Sequence, residues 1–294
     1  MAVIEIDTIE KLVAFSGGEY GRGTSCEYLD AVLTADLDFA DLKEYDNPYN
    51  WAGCTGTWYV NFDGQGHKVD NIFYSGNGNW GFFGTLYGSV KNLKLTNVFV
   101  TVTGSNSSAA GCVLYLYGNI DNVHISGQIE CLNTDLNYDA CGLFSRGSGA
   151  TVTMCSVAGI LKGGVVCGIG RNGLSGSVNY VYNCMINAEV VATVDYAMPL
   201  GGSFEVFVNC EFKGNVKSNG RIMVGSYDSP LHNCILIFGS GSGTRWESRA
   251  TYNNVYYDST LAAEGGFTPP GAVTGAPTTD LQDGQWLHEH GLAI

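Results

Sequence analysis

A short frame returns eight times along this 294-residue chain. It reads apolar, any, Asn, apolar, any, apolar. It appears as VDNIFY (69–74), VKNLKL (90–95), IDNVHI (120–125), VTMCSV (152–157), VYNCMI (181–186), FVNCEF (207–212), LHNCIL (231–236) and, degenerate, TYNNVY (251–256). Its third position falls at 71, 92, 122, 154, 183, 209, 233 and 253, so consecutive copies lie 20 to 32 residues apart. A Gly-rich apolar frame precedes several copies, as in WGFFGTLYGSV from 80, AGCVLYLYGNI from 110, ACGLFSRGSGATV from 140 and VCGIGRNGLSGSV from 166. Strand-like units repeating at this period, with no helical pattern, must each bury their apolar face against the next unit.

That requirement predicts an all-β chain: a right-handed parallel β-helix with short helical caps at both ends. Residues 1–50 read as an N-terminal cap helix with lead-in strands, 51–258 as the rungs, and 259–294 as a C-terminal loop and cap. Alternation along a strand turns slots one, four and six inward and slots two and five outward. Asn in slot three suits a bend, because it tolerates left-handed backbone and its amide can bond nearby groups. Stacked Asn side chains can also bond from rung to rung. One variable loop per rung absorbs the uneven steps.

Slot four holds Ile72, Leu93, Val123, Cys155, Cys184, Cys210, Cys234 and Asn254. Cysteine takes turns there with Ile, Leu and Val, so it reads as a small buried hydrophobe. Ten cysteines would suit a disulfide framework, yet no CxxC pair occurs and stacked rungs need no staple. Mostly free thiols are expected, with no metal site and no cofactor. At the ends, DTIEKLVAF (7–15) reads as a helix capped by Asp7 or Thr8, with Glu10 completing a capping box. AVLTADLDF (31–39) alternates as a half-buried strand, and TTDLQDGQWLHEHGLAI (278–294) reads as a cap packing Leu281, Trp286 and Leu287.

Charge excludes some partners. Asp and Glu number 28 against 14 Lys and Arg, a net charge of −14. Nothing would neutralise the phosphates of a nucleic acid or an anionic membrane surface. No run of ~20 apolar residues exists, so membrane insertion is not expected. The first residues, MAVIEIDTIEKLVAF, lack the basic start and apolar core of a secretory leader.

Sugar-cleaving chemistry on a β-helix calls for paired carboxylates on neighbouring rungs, ~5–9.5 Å apart. The outward slots show no acidic ladder. The long loops of successive units do carry Asp135, Asp139 and Asp195, with Tyr138 and Tyr196 beside them, and slot five carries Glu211. These four acids are the candidates for catalysis. The outer face offers rings for sugar or partner contact: Tyr182 and Tyr252 in slot two, with Phe73 and Tyr256 near slot five, while Trp51, Trp58, Trp80 and Trp246 flank the stack. DGQGH (63–67) reads as a tight turn, and HEH (288–290) lacks the further ligands a metal needs. Met185, Val208 and Ile235 are apolar in outward slots, so a cap strand or a neighbouring chain, as in a homotrimer, is expected to cover the late rungs.

Residues 30–130 also carry a family resemblance. LTADLDFADL, FDGQGHKVDNIFY and GFFGTLYGSVKNLKLTNVFV resemble the GLUG-type right-handed β-helix proteins, through Asp36, Asp38, Asp63, Gly64, Gly66, His67, Asn71, Gly81, Phe83, Gly84 and Asn92. The likeness runs more loosely, in register, to about residue 257. That family includes phage structural proteins and surface adhesins. With the acidic surface and absent leader, the resemblance implies a non-catalytic rigid β-helix on a virion surface, in a receptor-binding, tail or capsid-decoration role. Its partners would be virion proteins or host-surface glycan. The alternatives are a tailspike-like polysaccharide depolymerase and an extracellular, cell-surface adhesin.

Overall fold

The computed structural model describes residues 3–42, 47–173, 179–203, 205–223, 231–242, 245–247, 252–259, 273–290 and 292. They wind into a parallel β-helix of three strand stacks. One stack holds the strands leading into slot three, such as Cys54–Asp63, Thr151–Thr153 and Asn179–Tyr182. A second holds the strands that follow it, such as Ser156–Gly163, Met185–Ala192 and Glu211–Ser218. The third is a six-stranded stack running from Ala109–Ala110 through Ala140–Cys141, Val166–Cys167, Tyr196–Met198 and Arg221–Met223 to Arg245–Glu247. Each rung pairs in parallel with the next, as Val157 with Ile186 and Ile186 with Phe212.

The corner between the first two stacks is made by the predicted residue. Asn92, Asn122, Met154, Asn183, Asn209, Asn233 and Asn254 all hold φ between 51° and 56°. This is left-handed backbone, which Asn adopts more cheaply than other side-chain-bearing residues. The amides then bond along the helix axis. Nδ2 of Asn122 donates to Oδ1 of Asn92 at 2.9 Å, Asn209 to Asn183 at 3.1 Å, Asn233 to Asn209 at 3.1 Å and Asn254 to Asn233 at 2.9 Å. The column starts on a carboxylate, with Asn92 donating to Asp63 at 3.1 Å.

Two copies of the frame sit differently from the sequence reading. Val69 pairs with Leu95 and Asp70 with Thr96, so VDNIFY lies beside LTNVFV (95–100), and its step to VKNLKL is not a rung. Asn71 and Asn97, both left-handed, form a second corner. Their amides rest on Asp38 at 2.8 Å and Asp70 at 2.9 Å. The last copy is shifted by one residue. Tyr252 pairs with Leu231 and Asn253 with His232, so Asn254 is the corner and Val255 the buried slot-four residue. Tyr252 therefore occupies inward slot one and packs against the core, not the outward slot two expected of it. Two adjacent Asn residues made either register readable, and a slip of one residue exchanges the two faces.

The interior is aliphatic, with aromatic rings at its N-terminal end. Trp51, Trp58 and Trp80 are fully or almost fully buried rather than flanking the stack. Phe15 of the helix Ile9–Gly17 packs 4.8 Å from Trp58 and 5.9 Å from Phe62, closing the first rung. The indoles are satisfied: Trp51 Nε1 donates to Ser16 Oγ and Trp80 Nε1 to the Trp51 carbonyl. The side chain of Trp246 lies outside the described residues. The helix begins at Ile9 with Thr8 as its cap, accepting from Lys11 N. This places Lys11 where a capping box needs an acid, so Glu10 forms none and Asp7 instead pairs with Lys11 at 2.7 Å.

All ten cysteines are free thiols, and all but Cys26 are buried. Cys155, Cys184, Cys210 and Cys234 stack in slot four, each sulfur 3.0–3.4 Å from the slot-two carbonyl of its own rung. Neighbouring thiols and burial push Cys184 upward, and burial pushes Cys131 up to about 11. At the other end the chain covers the outward apolar slot of Ile235 itself. Ile235 and Ile237 are buried with Ala276, Leu281 and Leu292, and Trp286 and Leu287 pack against them. Ile235 thus needs no second chain to shield it, while Met185 stays exposed.

Candidate functional site

Two of the loop acids, Asp139 and Asp195, are held by arginines. Asp139 is fully buried. Its Oδ1 accepts from Ser145 Oγ at 2.6 Å and its Oδ2 from Arg171 Nη1 at 3.1 Å. Arg171 also donates to the Leu136 carbonyl, so this ion pair ties the loop 132–138 to the stack. Asp195 lies 3.9 Å from Arg221 Nε, and Arg221 donates to the Tyr196 hydroxyl at 3.1 Å while its guanidinium sits 5.4 Å from that ring. Asp135 is exposed and accepts from the backbone and amide of Asn137, forming the loop's own turn. Ala140 pairs with Val166 and Val166 with Ala197, which separates the Asp139 and Asp195 regions by two rungs, roughly 10 Å. Glu211 stands apart in slot five between Met185 and Ile235. Burial pushes its carboxyl up, partly offset by Lys213.

The expected aromatic residues do not form one surface. Tyr182 is half-buried and lies parallel to exposed Tyr180, 6.2 Å away. Tyr138 is half-buried at the end of the loop, Tyr196 is occupied by Arg221, and Tyr252 faces the core.

A different aromatic surface lies on the first rungs. Tyr59 pairs with Tyr87 across adjacent strands, and their rings stack at 4.8 Å. Tyr87 stacks on Tyr117 at 4.6 Å and 8°. Tyr28 closes the lower end edge-on to Tyr59 at 5.8 Å. The ring separation matches the rung spacing, so the β-helix itself sets the stack. Burial and the neighbouring hydroxyls push the Tyr87 phenol upward. The residue above Tyr117 is Ser148, so the upper face of the Tyr117 ring carries no further aromatic residue. On one side runs a polar column, with Ser89 Oγ donating to Asn61 at 3.2 Å and Asn61 Nδ2 donating to Asp30 at 3.1 Å.

On the other side lies a groove of about 300 Å³. Thr55, Gly56, Thr57, Asn79, Thr85 and Tyr115 are among its lining residues. Thr57, Thr85 and Tyr115 are register neighbours two strand positions from the tyrosine stack, and so share its outward face. Among the described residues their hydroxyls have no hydrogen-bond partner, which leaves them available to a ligand. Sequence reasoning missed this face because it followed the Asn frame. The signal was present in the other frame, as LYG at 86–88 and again at 116–118.

No family model and no curated protein matches the chain. Among solved structures, a protein of Bacteroides ovatus described as a "putative immunoglobulin A1 protease" is similar, with a TM-score of 0.54 and 17% identity. The match covers 97% of this chain and 86% of that one. At that identity the likeness is one of fold alone, and the fold it shares is the parallel β-helix.

Proposed function

We propose that this chain is a non-catalytic, rigid β-helix that binds host-surface glycan through the outer face of its N-terminal rungs, displayed on a virion. The observation that carries the reading is the Tyr59–Tyr87–Tyr117 stack beside a groove lined by the hydroxyls of Thr55, Thr57, Thr85 and Tyr115. Aromatic rings flanked by hydroxyl and amide groups match the alternating apolar and polar faces of a sugar. The Arg171 and Arg221 pairings support a structural role for Asp139 and Asp195. The virion setting rests on the GLUG resemblance of residues 30–130. The test is incubation with a panel of bacterial surface polysaccharides, reading both retention and new reducing or unsaturated ends. Retention without new ends is expected. New ends would overturn the non-catalytic reading and direct mutation to Glu211, the acid whose carboxyl burial raises.

A further inference from the structure

We infer that the groove beside the tyrosine stack takes a carboxylated sugar, a uronic or nonulosonic acid, with its carboxylate on Arg22. The inference rests on the glycan reading above and specifies its ligand. Arginine is scarce here, and the described guanidinium groups of Arg146, Arg171 and Arg221 are all engaged by carbonyls, carboxylates or a phenol. Arg22 differs. Among the described residues its guanidinium has no hydrogen-bond or ion-pair partner, although it is partly buried. It lies over the Trp58 ring at 5.3 Å. It also lies against Gly56, one of the residues that line the groove: a Cβ placed on Gly56 would come 2.7 Å from Arg22 Nη1. Gly56 holds φ +86°, so the position is kept free of a side chain by its backbone as well as by the guanidinium above it.

The chemistry follows from these positions. A guanidinium fork binds a planar carboxylate through two parallel hydrogen bonds. The Trp58 ring, 5.3 Å from the guanidinium carbon, restrains the fork and lowers the entropy cost of that pairing. The hydroxyls of Thr55, Thr57 and Thr85 and the amide of Asn79 then face the ring hydroxyls of the sugar. In a chain of net charge −14, a carboxylate would be repelled almost everywhere else.

The test compares an acidic bacterial polysaccharide with the same polymer after carboxyl reduction, and with a sulfated polymer, using the full chain immobilised on a sensor. The native acidic form is expected to bind about tenfold or more tightly than the reduced form. Arg22→Gln is expected to erase that preference. Because Arg22 also packs on Trp58, melting is followed by circular dichroism, and Thr85→Asp provides an independent probe. Its added negative charge is expected to abolish binding of the acidic form while sparing the reduced one. Equal binding of both forms, unchanged by Arg22→Gln and Thr85→Asp, would overturn the inference and leave glycan binding standing. Preference for the sulfated polymer would overturn the carboxylate assignment. Binding of no polymer would overturn both readings.

Discussion

Nδ2 of Asn122 donates to Asn92 on the rung below, yet the register neighbour above Asn122 is Met154. Met154 holds φ 53° and stands 51% exposed. The amide column therefore breaks at one rung, and Asn122 Oδ1 turns instead to His124 Nε2 at 2.9 Å. A side chain without Asn's local hydrogen bonding costs about 1–2 kcal/mol in this backbone region. Met154→Asn is expected to stabilise the fold by ~1 kcal/mol and raise the melting temperature by about 3 °C. Calorimetry checks this; a lowered melting temperature would contradict the corner's role.

The Asp139–Arg171 pair is buried and ties a loop to the stack, so breaking one side leaves the other charge stranded. Asp139→Ala is expected to cost about 3–5 kcal/mol. Replacing both residues, Asp139→Ala with Arg171→Met, should recover a large part of that loss. Urea unfolding of the single and double variants measures the difference.

Two acid-linked losses of stability are expected. Burial, with Lys94 nearby, holds the His124 imidazole below its ordinary value. The unfolded chain therefore takes up that proton first, and stability falls as pH drops below ~6.5. At lower pH the carboxylates follow. Burial pushes Asp63 up, but the Gln65 N–H, the Asn92 amide and Lys91 outweigh it and hold the carboxyl below its ordinary value. The Lys68 N–H and His67 do the same for Asp36. Their contribution is present above ~3.9 and is lost as pH falls through the lower folded values. Urea midpoints at pH 7, 5.5 and 3 should decline in that order, and His124→Gln should flatten only the first step.

The thiols give a direct check on the slot-four reading. A thiol-reactive chromophore should label Cys26 rapidly in the folded chain and all ten cysteines only after denaturation. Rapid labelling of several thiols would contradict their burial in the stack.

The corner was legible because left-handed backbone leaves few choices of residue, and Asn marked it in most rungs. The cysteines were legible because they shared a slot with Ile, Leu and Val. Register at the two ends was not. The first rungs turn two corners on Asn, at Asn92 and Asn97, so Asn71 could be placed in the wrong column. At the far end Asn253 and Asn254 are adjacent, and the choice between them decided which face Tyr252 took. The tyrosine stack depends on residues 28 to 30 positions apart, Tyr59, Tyr87 and Tyr117, whose alignment follows only once the strand register is known. Arg22 offered no sequence signal, because its guanidinium's place over Trp58, with no hydrogen-bond or ion-pair partner among the described residues, is seen only once the chain is folded.

The most direct measurement is polysaccharide binding by the native chain against Tyr117→Ala, which removes the open end of the stack. By analogy with base–aromatic stacking, worth roughly 1–3 kcal/mol per ring, binding is expected to weaken about tenfold with the melting temperature nearly unchanged. Undiminished binding by the variant would contradict the assignment of this face.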